Sequence, residues 1–240
     1  MRMRMAGVII AGAMLLASCD GSDNQGPAAP LPGSGMPEPP VLDVDDNGYS
    51  QFDATTLSAR LAELPLGTIN DAELAGMLLM REEEKFAGDV YTTLFDIHGL
   101  MTFARISEAE QTHAEAMRLL LDRYDIADPA EGLGIGEFMN QELQGLYDYL
   151  VAVGETTLLD ALYVGAEIEE LDIADLARIE QEIDANEDIA LVYANLKRGS
   201  RNHLRAFYDR ILDAGGSYTP QYISQTEFDD IVNSDVERGP

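Results

Sequence analysis

Four long runs of apolar side chains at spacings of three and four dominate the chain between about residues 51 and 232. This spacing places the apolar side chains on one face of an α-helix, which must be buried against other helices. No run shows convincing alternation of apolar and polar residues, the pattern expected of a half-buried strand. The sequence therefore predicts an all-α fold in which four long helices pack as an antiparallel bundle.

Capping and helix-breaking residues set the boundaries of these helices. Asn70 and Glu73 have the spacing of a capping box, and Gly99 is a residue type that commonly ends a helix. The predicted long helices cover about residues 70–97, 102–124, 157–183 and 186–214. A short extra helix is predicted in the central connection, at about 140–153, and a short C-terminal helix is predicted from Ser224.

The N-terminal residues have the features of a bacterial signal peptide. Two arginines precede the apolar run Ala6–Ala17, which at about 12 residues is shorter than the roughly 20 that a membrane-spanning helix needs. Leu16–Cys19 resembles a lipobox, so we expect a lipoprotein signal peptide over residues 1–18 and lipidation of Cys19. The alternative is an ordinary signal peptide that is cleaved after a small residue, with no role for the cysteine.

The next segment, residues 19–50, is rich in Pro, Gly, Ser and Asp and predicts a flexible tether. The folded unit would then be a helical bundle over residues 51–233. These features together predict a protein of the bacterial cell envelope. Its domain would be lipid-anchored outside the cytoplasm, on the periplasmic side in a Gram-negative cell.

The charge of the chain excludes one class of partner and favours another. With 44 acidic and 15 basic side chains, the formal net charge is −29. Binding of nucleic acid is not expected, because phosphate contacts need clustered Lys and Arg. Attraction of metal cations is favoured. The single cysteine excludes an internal disulfide and sites built from Cys pairs within one chain.

Acidic side chains lie where an apolar helix face is expected. Glu84 falls between Met80 and Ala87 on the apolar face of the first long helix. A buried carboxylate is costly unless it is paired or binds a metal. On the second helix, Glu110 and His113 share a face at the Glu-x-x-His spacing that metal-binding bundles use. An alternative for Glu110 is a capping box with Ser107, which would leave it no role at a metal.

The second half of the chain repeats this arrangement. A shift of 86 residues aligns the acidic pair before Lys85 with Glu169 and Glu170, and His203 lies on the fourth helix as His113 lies on the second. A metal site of pseudo-twofold symmetry would then use Glu84, Glu110, His113, Glu170 and His203. Glu167 and Glu169 are possible additional ligands from the third helix.

Four other residues are candidates to orient these ligands. Asp89, Asp172 and Asp175 could accept a hydrogen bond from a ligating imidazole, and Tyr91 could donate one to a ligating carboxylate. The three aspartates are equally compatible with solvated helix faces, and core packing alone would explain Tyr91.

At these residues the chain resembles the ferritin-like superfamily. Glu84, Ala87 and Tyr91 are similar to the first ligand helix of rubrerythrins, and the segment around Glu110 and His113 resembles the second. A closer likeness is to a prokaryotic ferritin-like family catalogued as a domain of unknown function. Its hallmarks appear here as REEEKFAGDVY, SEAEQTH, GAEIEELDIADL and RGSRNHLRAFYDRIL.

The resemblance implies a ferritin-like four-helix bundle with a dinuclear site, usually of iron, with manganese or zinc as alternatives. It implies a di-iron carboxylate oxidase of ferroxidase or peroxide-reducing type, with O₂ or H₂O₂ as oxidant. One departure matters, because Ser200 stands where a second Glu-x-x-His motif would place its glutamate. The alternative is therefore a non-catalytic metal-binding or protein-interaction bundle with a degenerate site. A homodimer is compatible with either function.

Overall fold

The computed structural model describes residues 39–238. A two-stranded antiparallel hairpin, β1 (Leu42–Val44) and β2 (Ser50–Phe52), precedes the helices and pairs Leu42 with Phe52. The helices are α1 (Ala54–Glu63), α2 (Asp71–His98), α3 (Met101–Arg123), α4 (Gln141–Gly154), α5 (Leu158–Ile179), α6 (Glu187–Asp213) and α7 (Gln225–Val232). One turn of 3-10 helix, Glu180–Glu182, extends α5. The expected signal peptide, Cys19 and the first part of the expected tether lie outside the described residues.

Helices α2, α3, α5 and α6 form a four-helix bundle around two apolar cores. Along α2 the chain passes from Met80 in one core to Val90 in the other, and α6 passes in the same order. Along α3 the order is reversed, from Ile106 to Met117, and α5 passes through the two cores in the same order as α3. Helices α2 and α6 are therefore parallel to each other and antiparallel to α3 and α5. The predicted all-α bundle is confirmed.

The connection between α3 and α5 must return along the length of the bundle, because these two helices run in the same direction. Within this return, α4 buries Leu143 and Leu150 in the core that contains Val90. Helix α7 buries Phe228 and Ile231 in the same core. The predicted short helices in the central connection and at the C-terminal end are thus both present.

Local signals account for most helix boundaries. The side chain of Asn70 accepts from the backbone N–H of Glu73, whose own carboxylate accepts from the backbone of Asn70. Gly99 ends α2 with φ 68°, a left-handed conformation that glycine adopts without steric penalty. In the described part of the chain, no helix combines the length and the apolar character needed to cross a bilayer.

The hairpin corrects the expectation of a tether up to residue 50. Leu42, Val44, Ser50 and Phe52 are all buried, whereas the alternate residues Asp43 and Gln51 are exposed. The alternation of a strand is present, but it spans only three residues in each strand, which is too short to stand out from a segment rich in Pro and Gly. Helix α1, which follows directly, was not predicted either.

Candidate metal centre

A layer of polar side chains lies between the two apolar cores. It contains Glu84 from α2, Glu110 and His113 from α3, Glu169 from α5, and His203 from α6. None of these five side chains is more than 1% exposed. Each of the four bundle helices therefore contributes to one buried polar cluster in the middle of the bundle.

The continuity of α3 decides the role of Glu110. This helix begins at Met101, so Ser107 lies within it and does not cap it. The hydroxyl of Ser107 instead bonds to the backbone oxygen of Gly88 at 3.0 Å. Glu110 and His113 are then one helical turn apart and face the bundle interior together. The alternative of a capping box for Glu110 is wrong.

Glu110 stands between the two histidines. Its Oε2 lies 2.8 Å from Nδ1 of His113, and its Oε1 lies 2.7 Å from Nδ1 of His203. Each histidine also faces a second carboxylate. Nδ1 of His113 is 3.3 Å from Glu84 Oε2, and Nδ1 of His203 is 3.6 Å from Glu169 Oε2. The cluster is thus two similar halves that share one carboxylate.

The ligand atoms of each half are close enough to surround a metal ion. Glu84, Glu110 and His113 form one group, and Glu110, Glu169 and His203 form the other, with the ligand atoms of each within 4.8 Å of one another. At a metal–ligand distance of about 2.1 Å, adjacent ligands of an octahedral ion are about 3 Å apart. The observed spacings of 2.7–3.6 Å between nitrogen and oxygen have this magnitude.

The same atoms lack hydrogen bonds. Among the described residues, no aligned partner exists for either oxygen of Glu84 or Glu110, for Oε2 of Glu169, or for Nδ1 of either histidine. The short distances to Glu110 are therefore close approaches without the geometry of a hydrogen bond. Buried polar atoms without partners are rare and costly. A set of them that converges on two points could hold two cations.

Bound protons are the alternative way to balance the negative charge of the buried carboxylates. Burial by itself would lower the pKa of His113, but Glu110 and Glu84 raise it to about 10. Burial would also lower the pKa of His203, but Glu110 and Glu169 raise it to about 9. Two imidazolium groups could thus occupy the cluster when metal is absent.

The three carboxylates respond to the same charges in opposite directions. Burial raises the pKa of Glu84 to about 8 against the effect of His113. Burial and the nearby Glu110 raise the pKa of Glu169 to about 7. Burial would raise the pKa of Glu110 as well, but the two histidines that flank it hold that pKa well below its usual value.

Ser50 is a member of the site that the sequence did not predict. Its Oγ lies 3.0 Å from Nε2 of His113 and 2.9 Å from Nε2 of His203. Gly199 leaves space for this contact, since a Cβ there would lie 2.5 Å from the ring of His113 and 2.8 Å from Ser50 Oγ. Ser50 belongs to the segment expected to be a tether, and its sequence carries no signal for a contact with residues 63 and 153 positions away.

Glu170, which the repeat favours as the fifth ligand, does not join the cluster. Its Oε1 accepts from the backbone N–H of Gln221, Tyr222 and Ile223, and its Oε2 accepts from the hydroxyl of Tyr218 at 2.7 Å. Glu169 takes the place at the site. One residue along a helix rotates a side chain by about 100°, so an error of one position in the repeat selects the wrong face.

The residues proposed to orient ligands fall into two groups. Tyr91 donates to Glu169 Oε1 at 2.6 Å, and Asp172 is 2% exposed beside the cluster, where burial and Glu84 raise its pKa well above the usual value. Asp89 lies away from the site, because it pairs with Lys85 and accepts from the backbone of Gly136.

Two further acidic candidates are also outside the cluster. Asp175 is partly buried, pairs with Arg178 at 2.7 Å, and is not part of either group of ligand atoms. Glu167 accepts from the hydroxyl of Tyr222 at 3.4 Å and is not part of either group of ligand atoms.

Fold and site together define an all-α bundle with a buried cluster of carboxylates and histidines that could hold metal ions. The chain belongs to the family described as an uncharacterized protein domain, DUF2202, whose model matches residues 73–235. The predicted membership of a family of unknown function is thereby confirmed. The match covers α2 to α7 and begins after the hairpin that carries Ser50.

A relative with a solved structure has the same fold. The chain is 48% identical over 179 residues to the uncharacterized protein MJ0754 of Methanocaldococcus jannaschii, covering 75% of this chain and 96% of the relative. A crystal structure titled as that of hypothetical protein MJ0754 from Methanococcus jannaschii matches with a TM-score of 0.71. That match covers 72% of this chain and 99% of the crystallised one.

Proposed function

We propose that this protein is a ferritin-like metal-binding protein with a dinuclear site. Glu84, Glu110 and His113 would hold one ion, and Glu110, Glu169 and His203 would hold the other. The observation that carries the proposal is the position of Glu110, which offers one carboxylate oxygen to each half of the site at 2.8 and 2.7 Å from the two histidines. A carboxylate shared in this way is the means by which bundle proteins hold two metals side by side.

The charge and chemistry of the donors fit two divalent cations. Glu84, Glu110, Glu169 and the adjacent Asp172 carry four negative charges when ionised, and two divalent ions carry four positive charges. Both histidines would then be neutral and would bind through Nδ1. Mixed oxygen and imidazole donors suit iron or manganese, with zinc as the other common ion for such ligands.

We propose iron as the ion and ferroxidase-type chemistry as the activity, in iron or oxidative-stress handling. Bound iron would supply the redox step, in which two Fe(II) each lose one electron and O₂ or H₂O₂ accepts them. The protein would hold the ligands in place and exclude water, because apolar cores close the site on both sides. The single cysteine cannot build a Cys-ligated electron-transfer site within one chain, so Fe(II) itself or an external donor must supply electrons.

The test is an anaerobic titration of the metal-free protein with Fe(II), followed by addition of O₂. We expect about two Fe(II) per chain, and an absorption change that requires both O₂ and iron. Glu110→Ala should lose both ions, and His113→Ala should weaken at least one. A protein that binds no Fe(II), Mn(II) or Zn(II), and whose unfolding is insensitive to these ions, would refute a metal function.

A second function is favoured by one observation. Ser200 occupies the position one turn before His203, and its hydroxyl is bonded to the backbone oxygen of Leu196 at 3.1 Å. The cluster therefore has one shared carboxylate where a second Glu-x-x-His motif would bring another. A non-catalytic metal-binding bundle would take up two ions in the same titration and show no O₂-dependent oxidation above that of free Fe(II).

The location at a membrane is also a proposal and rests on the sequence alone. We propose that Cys19 is lipidated and anchors the bundle at the cell envelope. Expression of the full chain in a bacterium, with a radiolabelled fatty acid, should label the wild type and place it in the membrane fraction. Cys19→Ala should be unlabelled and released, and an equally labelled variant would contradict the anchor.

A further inference from the structure

The hydroxyl of Ser50 contacts both histidines of the cluster on the side away from the carboxylates. Its Oγ is 3.0 Å from Nε2 of His113 and 2.9 Å from Nε2 of His203, and Ser50 is completely buried. The two imidazole rings are stacked at an angle of 11° with their centroids 5.4 Å apart. One side chain therefore contacts the outer nitrogen of the histidine in each half of the site.

The donor and acceptor capacities of these groups match when metals are bound. An imidazole that uses the lone pair of Nδ1 for a metal carries its proton on Nε2 and must donate it. A serine oxygen has two lone pairs, so it can accept from both rings at once. Such outer hydrogen bonds fix the tautomer and the orientation of metal-ligating histidines.

Contacts other than those of its own hydroxyl hold Ser50 in this position. Phe52, on the same inward face of β2, donates its backbone N–H to Thr112 Oγ1 at 3.0 Å. Its ring packs edge-on against His113 at 5.5 Å. Leu42 and Val44 of β1 join the core that contains Met80. The apolar side chains that fix the hairpin thus also fix the location of one hydroxyl.

We propose that Ser50 is a positioning residue for both metal positions: its single hydroxyl orients Nδ1 of His113 and of His203 toward the carboxylates and so couples the two halves. This inference rests on the proposed metal function. It differs from the role of a ligand, because removing the carboxylate of Glu169 should weaken mainly one position. Removing the hydroxyl of Ser50 should weaken both.

Cobalt binding to metal-free protein tests the proposal without any dependence on oxidase activity. The probe is Co(II), whose visible absorption reports the geometry of its ligands. In Ser50→Ala we expect the affinity at both positions to fall roughly 10- to 100-fold, as is typical when a partner of a metal-bound histidine is removed. The Co(II) spectrum should change as well. Ser200→Ala is the matched control, because it also removes a buried serine hydroxyl but one that bonds to its own helix.

A second pair of variants separates the hydroxyl from packing. Ser50→Thr and Ser50→Val have the same shape and differ in the hydroxyl, so any strain from the added bulk is common to both. Thr should bind Co(II) more tightly than Val at both positions. Equal affinities in this pair, or a Ser50→Ala variant within twofold of wild type with an unchanged spectrum, would overturn the role of Ser50.

Proton NMR of the metal-free protein with ¹⁵N-labelled histidine provides a readout of orientation. The Nε2–H signals of His113 and His203 should exchange slowly in wild type and rapidly in Ser50→Ala. His98, whose Nε2 contacts the backbone oxygen of Gly154 at 2.7 Å, serves as an internal reference that should not change. If wild type binds no metal, the proposed function fails. If wild type binds two ions and Ser50→Ala binds them equally well, this inference alone fails.

Discussion

Two groups of buried carboxylates in this bundle are stabilised by different means. The central group, Glu84, Glu110 and Glu169, lies between the apolar cores, and most of its oxygens have no hydrogen-bond partner within residues 39–238. The peripheral group comprises Glu73, Glu82, Glu170 and Asp188, which are also buried. The difference between the groups is therefore the supply of donors.

The donors of the peripheral group come from the ends of helices and from the connections between them. Glu82 Oε1 accepts from the backbone of Met139 at 2.6 Å and of Asn140 at 3.0 Å, at the start of α4. Asp188 accepts from Arg123 Nε at 2.8 Å and from the hydroxyl of Tyr124 at 2.9 Å. These carboxylates fix the ends and connections of helices. Burial alone does not mark a candidate metal ligand: the central carboxylates are buried, lack donors on the oxygens that face the histidines, and converge with them.

The largest expected difference between the two groups is that between substitutions of Glu110 and of Asp188. Glu110→Gln should lower metal affinity at both positions by more than about 100-fold, because the bridging charge is lost, and it should leave the metal-free protein folded. Asp188→Asn should keep both metals, but it should lower the free energy of unfolding by about 3 kcal/mol, because Arg123 loses its buried partner. Isothermal titration with Mn(II) and urea unfolding measure the two quantities. Equal losses of affinity would contradict the division into two groups.

A second test compares the central and peripheral groups at two neighbouring residues of α5. Glu169→Gln should abolish one of the two metal positions, since its oxygen faces His203. Glu170→Gln should retain both metals and destabilise the tail that includes Tyr218, by about 1–3 kcal/mol, because its buried donors lose a charged acceptor. Metal analysis after dialysis and limited proteolysis of the C-terminal segment distinguish the pair. Loss of metal from Glu170→Gln would instead show that Glu170, the residue that the repeat favours, is a ligand.

The pH dependence of stability should also differ with metal. In the metal-free protein the pKa values of His113 and His203 are raised from 6.5 to about 10 and 9. The stability that these two histidines contribute is therefore fully present below pH 6.5 and is lost as pH rises through 9–10. The pKa values of Glu84 and Glu169 are raised from 4.5 to about 8 and 7, so ionising them in the folded state costs stability over that interval. The folded state thus holds more protons than the unfolded chain.

We therefore expect the midpoint of thermal unfolding of the metal-free protein to fall as pH rises from about 5 to 10. Saturating Mn(II) should remove most of this fall between pH 7 and 9, because cations replace the protons. Calorimetric scans at several pH values, with and without Mn(II), measure the effect. A metal-free protein that becomes more stable across this interval would contradict the assignment of charges in the central group.

The smallest expected effect concerns the one good hydrogen bond in the central group. Tyr91 donates to Glu169 Oε1 at 2.6 Å, which leaves Oε2 to face His203. Tyr91→Phe should lower the unfolding free energy by about 1 kcal/mol and weaken one metal position a few-fold. Tyr193→Phe is the control, because Tyr193 is also buried but its hydroxyl has no partner in the described part of the chain. Equal effects of the two changes would assign Tyr91 to packing alone.

The part of the site that helical periodicity alone identifies could be predicted from the sequence. Glu84, Glu110, His113 and His203 each interrupt an apolar stripe, so the sequence identifies them without knowledge of how the helices pack. The choice between Glu169 and Glu170 is different, because both lie within an acidic run that fits either face. Only the packing of the C-terminal segment, which provides three backbone donors to Glu170, separates them.

The sequence by itself determined the four bundle helices, most of their boundaries and the residue types of a candidate metal site, because these follow from spacing within a single element. The tertiary structure decided which carboxylates meet. It also placed the hydroxyl of Ser50 between two histidines 63 and 153 residues away. Such contacts depend on the packing of elements far apart in the chain. The periodicity of each element fixes the face that is buried, and the assembled bundle fixes what that face contacts.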